Sequence, residues 1–265
     1  MTDTRIARRT FAVGGAASVG LGALAACGSD DGDATESASP STSASPTEAA
    51  TGADTTCVLT SEVTEGPYYL DDALERTDVT EGKTGAPLAL LITVVDADGC
   101  TPLANAMVEI WHCDAWGYYS GFTTANPGGS APAEDGTGDD ETFLRGFQIT
   151  DDAGQAAFTT IVPGWYTPRA THIHVKVHTG GTVDDAEYED GTVVHTGQFF
   201  FDDDTVLALD EVEPYSEHTG DHTLLDDDMV YTGGGVQDGL LTLTANDDTD
   251  PSAGYAAVIT VGVTP

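Results

Sequence analysis

Two histidines stand two residues apart in the stretch WYTPRATHIHVKVH, residues 165–178. The alternating pattern THIHVKVH predicts a β-strand, on which side chains at positions i and i+2 point to the same face. The Cα atoms of His172 and His174 would lie roughly 6.5–7 Å apart, so both imidazoles could reach one ion. Neutral imidazole binds zinc, copper, iron and nickel. His178 shares the parity of the pair and is a third candidate, and an ordinary polar strand face is the simpler alternative.

Tyrosines near the histidines narrow the choice of metal. Tyr166 stands on the PGWYTP turn that leads into the strand, and Tyr118 and Tyr119 stand where the run VEIWHCDA gives way to a loop. Phenolate is a hard anionic ligand known on haem iron. The ordinary pKa of the phenol is about 10, and a trivalent cation would lower it sharply. Two phenolates and one hydroxide balance three positive charges, so two imidazoles with two phenolates favour Fe(III). A copper or zinc site that uses only the histidines stays open.

Other catalytic signatures are missing from the sequence. It contains no GxSxG, no P-loop, no HExxH, no CxxC pair and no dinucleotide fingerprint. The histidine and tyrosine pattern is therefore the chemistry to explain.

Between about residues 60 and 262 the sequence resembles the intradiol ring-cleavage dioxygenases, the family of protocatechuate 3,4-dioxygenase and catechol 1,2-dioxygenase. The resemblance rests on TEGPYYL (64–70), VEIWHCDAWGYYSGF (108–122), FLRGFQITDDAGQAAFTTIVPGWY (143–166), RATHIHVKV (169–177) and HTGQFFF (195–201). Together these motifs resemble the exported branch of the family. The resemblance implies a non-haem Fe(III) enzyme that uses O₂ to cleave a catechol between its hydroxyl-bearing carbons, giving a cis,cis-muconate-type diacid.

The resemblance also implies a set of iron ligands, namely Tyr119, Tyr166, His172 and His174. Tyr119 is matched in preference to Tyr118 because it precedes the Ser of the family's GxYS motif. Tyr166 would be the ligand that leaves the iron when the substrate binds and takes up a substrate proton.

Further roles follow from the same resemblance. Arg169, three residues before the first histidine, matches an active-site arginine that stabilises developing negative charge. Gln198 matches a supporting glutamine on the next strand. Gly66, Pro67 and Tyr68 in EGPYY would line the substrate pocket. We expect the polar residues of the WHCDA and FLRG motifs to be buried structural groups: His112, Asp114 and Arg145.

The elements that must position these residues are nearly all β-strands. Runs such as PLALLITVVD, NAMVEIW, QAAFTTI and YAAVITVGV are separated by Gly, Asp and Pro turns. They predict an all-β fold, an antiparallel β-sandwich with long acidic loops at 123–142 and 202–234. A non-catalytic transthyretin-like binding or spacer domain is the alternative, since GCTPLANAMVEI and TDDAGQAAFTTIVPGWY also resemble that class.

The N-terminal segment predicts export. Residues 1–26 combine Arg8 and Arg9 with a short apolar run, which indicates a twin-arginine signal. The run ends in LAAC, which resembles a lipobox and implies lipidation of Cys27; a cleaved signal without lipid is the alternative. Residues 27–56 are small, polar and acidic, so we expect a disordered linker between the membrane and a domain at 57–265. The lipid would be the protein's one membrane contact.

Charge limits the classes of partner, and cysteine content indicates whether the protein forms a disulfide. The chain has 8 Lys and Arg against 45 Asp and Glu, a formal net charge of −37, which argues against nucleic acid as a partner. An oxidising compartment favours a disulfide, and the three cysteines after Cys27 allow three alternative pairings. We expect the pair Cys57–Cys100, which leaves Cys113 as a buried free thiol. The expected partners are a small aromatic diol and O₂.

Overall fold

A computed structural model of the chain describes residues 59–71, 73–122, 142–233 and 236–265. The predicted export signal, Cys27, the predicted linker and Cys57 lie outside these residues, as does most of the predicted loop at 123–142. Those predictions stay predictions. Within the described part, no helix combines the length and the hydropathy that a membrane crossing requires.

The described ranges are built mainly from β-strands, with short helices between the later ones. The strands are β1 (Pro87–Asp96), β2 (Thr101–Pro102), β3 (Met107–Trp111), β4 (Arg145–Ile149), β5 (Gln155–Ile161), β6 (His172–Thr179), β7 (Thr182–Asp184), β8 (Glu187–Glu189), β9 (Thr192–Phe200), β10 (Thr242–Ala245) and β11 (Tyr255–Val263). The α-helices are α1 (Asp203–Ala208) and α2 (Met229–Gly233). Single 3-10 turns occupy Leu209–Glu211, Tyr215–Glu217, Leu225–Asp227, Val236–Gly239 and Pro251–Ala253.

Two sheets form the sandwich. In one, β1 pairs with β11, β2 and β5, and β10 pairs with the far side of β11. The other has the order β4-β3-β6-β9, and β7 and β8 form a separate two-stranded hairpin. Alternate residues of each sheet point inward and form one buried apolar cluster, with Leu90, Ile92 and Val261 from the first sheet and Ile110 and Val175 from the second.

The second face of the four-stranded sheet is buried as well. All of β3 and nearly all of β6 are inaccessible to solvent, although β1 and β5 alternate between buried and more accessible residues. A strand buried on both faces needs a covering layer. The loops that cover this outer face bring the tyrosines over His172 and His174.

The prediction of a predominantly β, two-layered fold is confirmed, and two of its details are wrong. The sandwich is not antiparallel throughout, because β1 and β11 run parallel over nine residue pairs from Leu88↔Tyr255 to Asp96↔Val263. Parallel neighbours need a long crossover, and the chain between these two strands supplies it. The strands on either side of the DDAG turn, β4 and β5, belong to different sheets, since β4 joins β3 and β5 joins β1. The segment 202–234, predicted as a long loop, contains α1, α2 and three 3-10 turns up to residue 233.

Candidate metal centre

Four side chains from three segments meet at one point on the outer face of the four-stranded sheet. His172 and His174 project from β6, Tyr166 from the turn before it, and Tyr119 from the loop after β3. The Tyr119 Oη atom lies 3.1 Å from Tyr166 Oη, 3.1 Å from His174 Nε2 and 3.4 Å from His172 Nε2. The His172 Nε2 atom lies 3.2 Å from Tyr166 Oη and 3.1 Å from His174 Nε2. The predicted ligand set is thus brought together.

The spacing of these atoms suits a metal ion. A first-row metal ion binds nitrogen and oxygen ligands at about 2.0 Å, so donor atoms that lie 3.1–3.4 Å apart can share one ion. In the described ranges, no group of three or more His, Cys, Asp or Glu side chains is arranged so that it could hold a metal ion. The groups that complete a set around the two histidines are therefore tyrosines.

Neighbouring groups fix both imidazole rings. The Nδ1 atom of His172 lies 2.6 Å from the Ala170 carbonyl oxygen. If Nδ1–H donates to that oxygen, the Nε2 lone pair is left facing the centre. The indole of Trp111 stacks on the ring of His174, with centroids 4.8 Å apart and planes 6° from parallel. The backbone of Gly66 packs close to the ring of His174, because a Cβ at this position would lie only 3.1 Å from His174 Cε1.

Burial sets the protonation states of the four groups. It lowers the pKa of His172 and of His174 well below the ordinary value, so both are neutral and carry a free lone pair. It raises the pKa of the Tyr119 and Tyr166 phenols, so the protein alone keeps both protonated. A cation at the centre reverses that preference by stabilising phenolate. The donor set therefore fits a hard, highly charged metal ion.

The loop that carries Tyr119 is held from two sides. Arg145, which is 3% exposed, donates from Nε to Ser120 Oγ at 2.9 Å and from a terminal nitrogen to the Ser120 carbonyl oxygen at 2.7 Å. Asp114 accepts from the backbone N–H groups of Trp116 and Tyr118, both at 3.0 Å. These contacts orient Tyr119 toward the histidines.

The polar residues expected to be structural have structural contacts. His112 is fully buried, with Nδ1 2.8 Å from the Cys113 carbonyl oxygen and Nε2 2.7 Å from Thr160 Oγ1. Asp114 forms an ion pair with Lys83 at 3.3 Å besides its backbone contacts. Arg145 donates two hydrogen bonds to Ser120, as described above.

Arg169 lies beside the centre in a network that ends in a buried carboxylate. Its Nε donates to Asp228 Oδ2 at 2.9 Å, and a terminal nitrogen donates to Gln198 Oε1. Gln198 lies directly across from His174 on β9, and its own Nε2 donates to the Thr64 carbonyl oxygen at 2.9 Å. Arg169 and Gln198 are therefore together at the site. Their partner Asp228 was not foreseen, because one aspartate among 45 acidic residues gives no signal in the sequence.

The EGPYY segment (residues 65–69) lies against the centre. Tyr68 stacks on Tyr119, with centroids 4.7 Å apart, and Gly66 touches His174 as described. Pro67, the third predicted pocket residue, is exposed. Lys176 holds both ends of the segment, through an ion pair with Glu65 and with Nζ 3.4 Å from the centroid of the Tyr69 ring. We predicted no role for Lys176, although the scarcity of cations in this chain was an available signal.

His178 does not join the pair. It stands four residues beyond His174, about 13 Å along a strand, and a register irregularity follows Val177 in the pairing of β6 with β9. Its Nε2 instead lies 3.9 Å from Glu109 Oε2. As a third metal ligand, His178 is therefore a wrong candidate.

The structure describes two of the three cysteines that follow Cys27. Cys100 is disulfide-bonded, and Cys113 is a buried free thiol whose Sγ lies 3.7 Å from the Gly164 carbonyl oxygen. Cys57 lies outside the described residues, so its pairing with Cys100 stays a prediction.

Comparison with known proteins places this geometry in a family. A solved intradiol ring-cleavage dioxygenase from Tetranychus urticae superposes with a TM-score of 0.65 at 28% sequence identity, over 79% of this chain and 96% of that one. Residues 64–252 match the family model Dioxygenase_C, described as dioxygenase. The chain belongs to the intradiol ring-cleavage dioxygenase family.

Curated relatives of this dioxygenase match over shorter stretches. The catechol 1,2-dioxygenase of Acinetobacter baylyi is 40% identical over 108 residues, which are 38% of this chain and 30% of that enzyme. The hydroxyquinol 1,2-dioxygenase of Corynebacterium glutamicum is 40% identical over 57 residues, 20% of this chain and 19% of that enzyme. These matches span less than a third of each relative, so they establish kinship and leave the substrate undetermined.

Proposed function

We propose that the protein is an Fe(III)-dependent intradiol dioxygenase that cleaves a catechol-type diol with O₂ to a cis,cis-muconate-type diacid. The convergence of two phenol oxygens and two imidazole nitrogens carries the proposal, since five of the six distances among these atoms are 3.1–3.4 Å. Membership of the intradiol family supports the reaction type. A transthyretin-like spacer would need no such convergence.

Tyr119, Tyr166, His172 and His174 would hold the iron. Fe(III) bound there would activate the diol toward O₂. Two neutral imidazoles and two phenolates leave one positive charge, which a single hydroxide balances, so the buried centre carries no net charge. That charge balance supports Fe(III) over zinc.

Tyr166 is the ligand to which we assign release and proton uptake. It belongs to a turn, closed by a hydrogen bond from the Arg169 N–H to its carbonyl oxygen at 2.8 Å, whereas the histidines are fixed within β6. Tyr119 is followed by Ser120, which Arg145 clamps. Burial raises the pKa of the Tyr166 phenol, so this side chain takes a proton once no cation stabilises its phenolate.

Arg169 supplies positive charge at the edge of the centre. Burial raises the pKa of both Tyr119 and Tyr166, and the positive charge of Arg169 opposes that rise. A guanidinium close enough to act on both phenols can stabilise negative charge that develops on a bound diol. Asp228 and Gln198 fix its orientation.

The proposal is tested by turnover. Protein loaded with one iron per chain and supplied with catechol should consume one O₂ per diol and yield a diacid that carries both atoms of isotopically labelled O₂. Zinc-loaded protein is the matched control and should consume none. An extradiol product, or no O₂ uptake by the iron-loaded protein, would contradict the assignment.

We also propose that the enzyme is exported and anchored through a lipid on Cys27, on the strength of Arg8, Arg9 and the LAAC motif. Mass spectrometry of the mature N-terminus should find a diacylglyceryl thioether on Cys27, and Cys27→Ser should release the protein from the membrane fraction. An N-terminus without lipid on membrane-bound protein would overturn this proposal.

A further inference from the structure

We propose that the centre selects catechols without an ionised substituent and discriminates against carboxylated diols. The inference rests on the proposed function and narrows its substrate class. It follows from the number of cations in the chain, from the partner each has, and from the groups around the centre.

Cations are few enough to account for individually. After Arg9 the sequence contains five Lys and Arg residues, and all of them fall in the described ranges. The stretches after Arg9 that lie outside those ranges, namely 10–58, 72, 123–141 and 234–235, contain none. These five cations are Arg76, Lys83, Arg145, Arg169 and Lys176.

Arg169 and Lys176 each form an ion pair with a carboxylate. Arg169 is paired with Asp228, which is fully buried and accepts the Nε–H at 2.9 Å. Lys176 is paired with Glu65 and lies over the Tyr69 ring. Arg169 is engaged by Asp228 and by the diol oxygens that we propose it stabilises, and Lys176 is engaged by Glu65, so neither is left to pair with a substrate carboxylate.

The three remaining cations serve the loops. Arg76 forms an ion pair with Glu81, and Lys83 forms one with Asp114 at 3.3 Å. Arg145 is 3% exposed. It lies on the same sheet face as His174, with Trp111 paired to both, and its Nε and one terminal nitrogen donate to Ser120.

Backbone N–H groups near Arg169 are also engaged. The backbone N–H groups of Val230 and Tyr231 donate to Asp228 Oδ1 at 2.6 and 3.1 Å. The Ala170 N–H donates to the other oxygen of Asp228 at 2.7 Å. The protein's own carboxylate thus fills the anion position beside the centre.

Aromatic rings surround the centre. Trp111, Tyr119 and Tyr166 form a buried cluster against which Tyr68 and Phe122 pack. A carboxylate brought among these rings would lose hydration without gaining a cation, which is unfavourable. The formal net charge of −37 adds long-range repulsion of anions.

Two substrates that differ in charge and keep the same ring position test the inference. They are 3,4-dihydroxybenzoate and its methyl ester, with catechol as the reference, and the measurement is kcat/KM from O₂ uptake by the iron-loaded enzyme. Where either compound is not turned over, its inhibition constant against catechol supplies the comparison.

We expect the ester to exceed the acid at least tenfold. The gap should narrow between 10 mM and 500 mM NaCl, because salt screens the long-range repulsion. An ester-to-acid ratio below ten at 10 mM NaCl would overturn the inference while turnover of catechol upheld the proposed function. Absence of catechol turnover would overturn the proposed function itself and this inference with it.

Discussion

At the scale of single residues, adjacent tyrosines offer a matched pair. Tyr119→Phe removes the Oη atom that lies 3.1–3.4 Å from three other donors and keeps the ring that stacks on Tyr68. We expect iron affinity to fall at least tenfold and kcat for catechol at least a hundredfold, with the melting temperature nearly unchanged, because a metal ligand is lost and packing is kept.

Tyr118→Phe is the control. Tyr118 is 5% exposed and is a neighbour in sequence, but its hydroxyl is not among the converging atoms. Metal analysis and O₂ uptake on both variants decide the point. Equal iron content and equal kcat in the two variants would remove Tyr119 from the ligand set.

Glu109 gives a prediction about pH. Burial raises its pKa from the ordinary 4.5 to about 8, although the positive charge of Lys176 opposes this. The folded protein therefore keeps a proton that the unfolded chain loses above about pH 4.5, and this contribution to stability is lost as the pH rises toward 8. The negative charge of Asp71 also raises the pKa of Glu109, and the positive charge of Arg145 lowers it.

Glu109→Gln mimics the protonated carboxyl at every pH. We expect its free energy of unfolding, relative to the wild type, to increase between pH 5 and pH 8.5, by at most about 1.4 kcal/mol per pH unit. Urea unfolding at several pH values measures the difference. A difference that stays constant across this range would show that Glu109 ionises normally in the folded protein.

The sequence predicted single residues well where chemistry is local. His172 and His174 follow from strand parity, and the structure has both imidazoles on one face. Asp228 could not be predicted, because it meets Arg169 from 59 positions away and nothing in its own surroundings marks it. Lys176 could have been noticed, since it is one of five cations after Arg9.

At the scale of elements, the EGPYY segment gives the next prediction. Lys176 holds its two ends through Glu65 and Tyr69, and between them Gly66 and Tyr68 touch metal-site side chains. Lys176→Met should raise KM for catechol about fivefold, because an ion pair with a cation–π contact is worth roughly 1 kcal/mol. Iron content should stay the same.

Lys176→Arg keeps the charge and is the rescue variant. Its KM should lie near that of the wild type, whereas loss of folding alone would lower active-enzyme concentration and kcat without changing KM. Steady-state kinetics on both variants measures this. An unchanged KM in Lys176→Met would show that the segment is held by other contacts.

The alternation of apolar residues predicted where the strands lie better than it predicted which strands pair. The periods of β1, β5 and β6 were recognisable, but the direction of β11 beside β1 was not, since apolar alternation is the same in parallel and antiparallel strands. The transfer of the chain from one sheet to the other at DDAG was equally hidden, because a turn motif does not record which strand lies on either side.

At the scale of the whole molecule, net charge dominates. A chain with a formal charge of −37 repels itself, and salt shortens the range of that repulsion from about 30 Å at 0.01 M to about 3 Å at 1 M. The melting temperature should therefore rise by several degrees between 10 mM and 500 mM NaCl. Calorimetry at constant pH measures it, and a flat or falling melting temperature would contradict the expectation.

The visible absorption spectrum of the protein during titration with Fe(III) tests the central claim most directly. A centre of two tyrosines and two histidines should bind one Fe(III) per chain and turn the protein burgundy through tyrosinate-to-iron charge transfer, with Tyr119→Phe losing much of that absorption. Protein that binds one iron per chain and stays colourless would contradict the account.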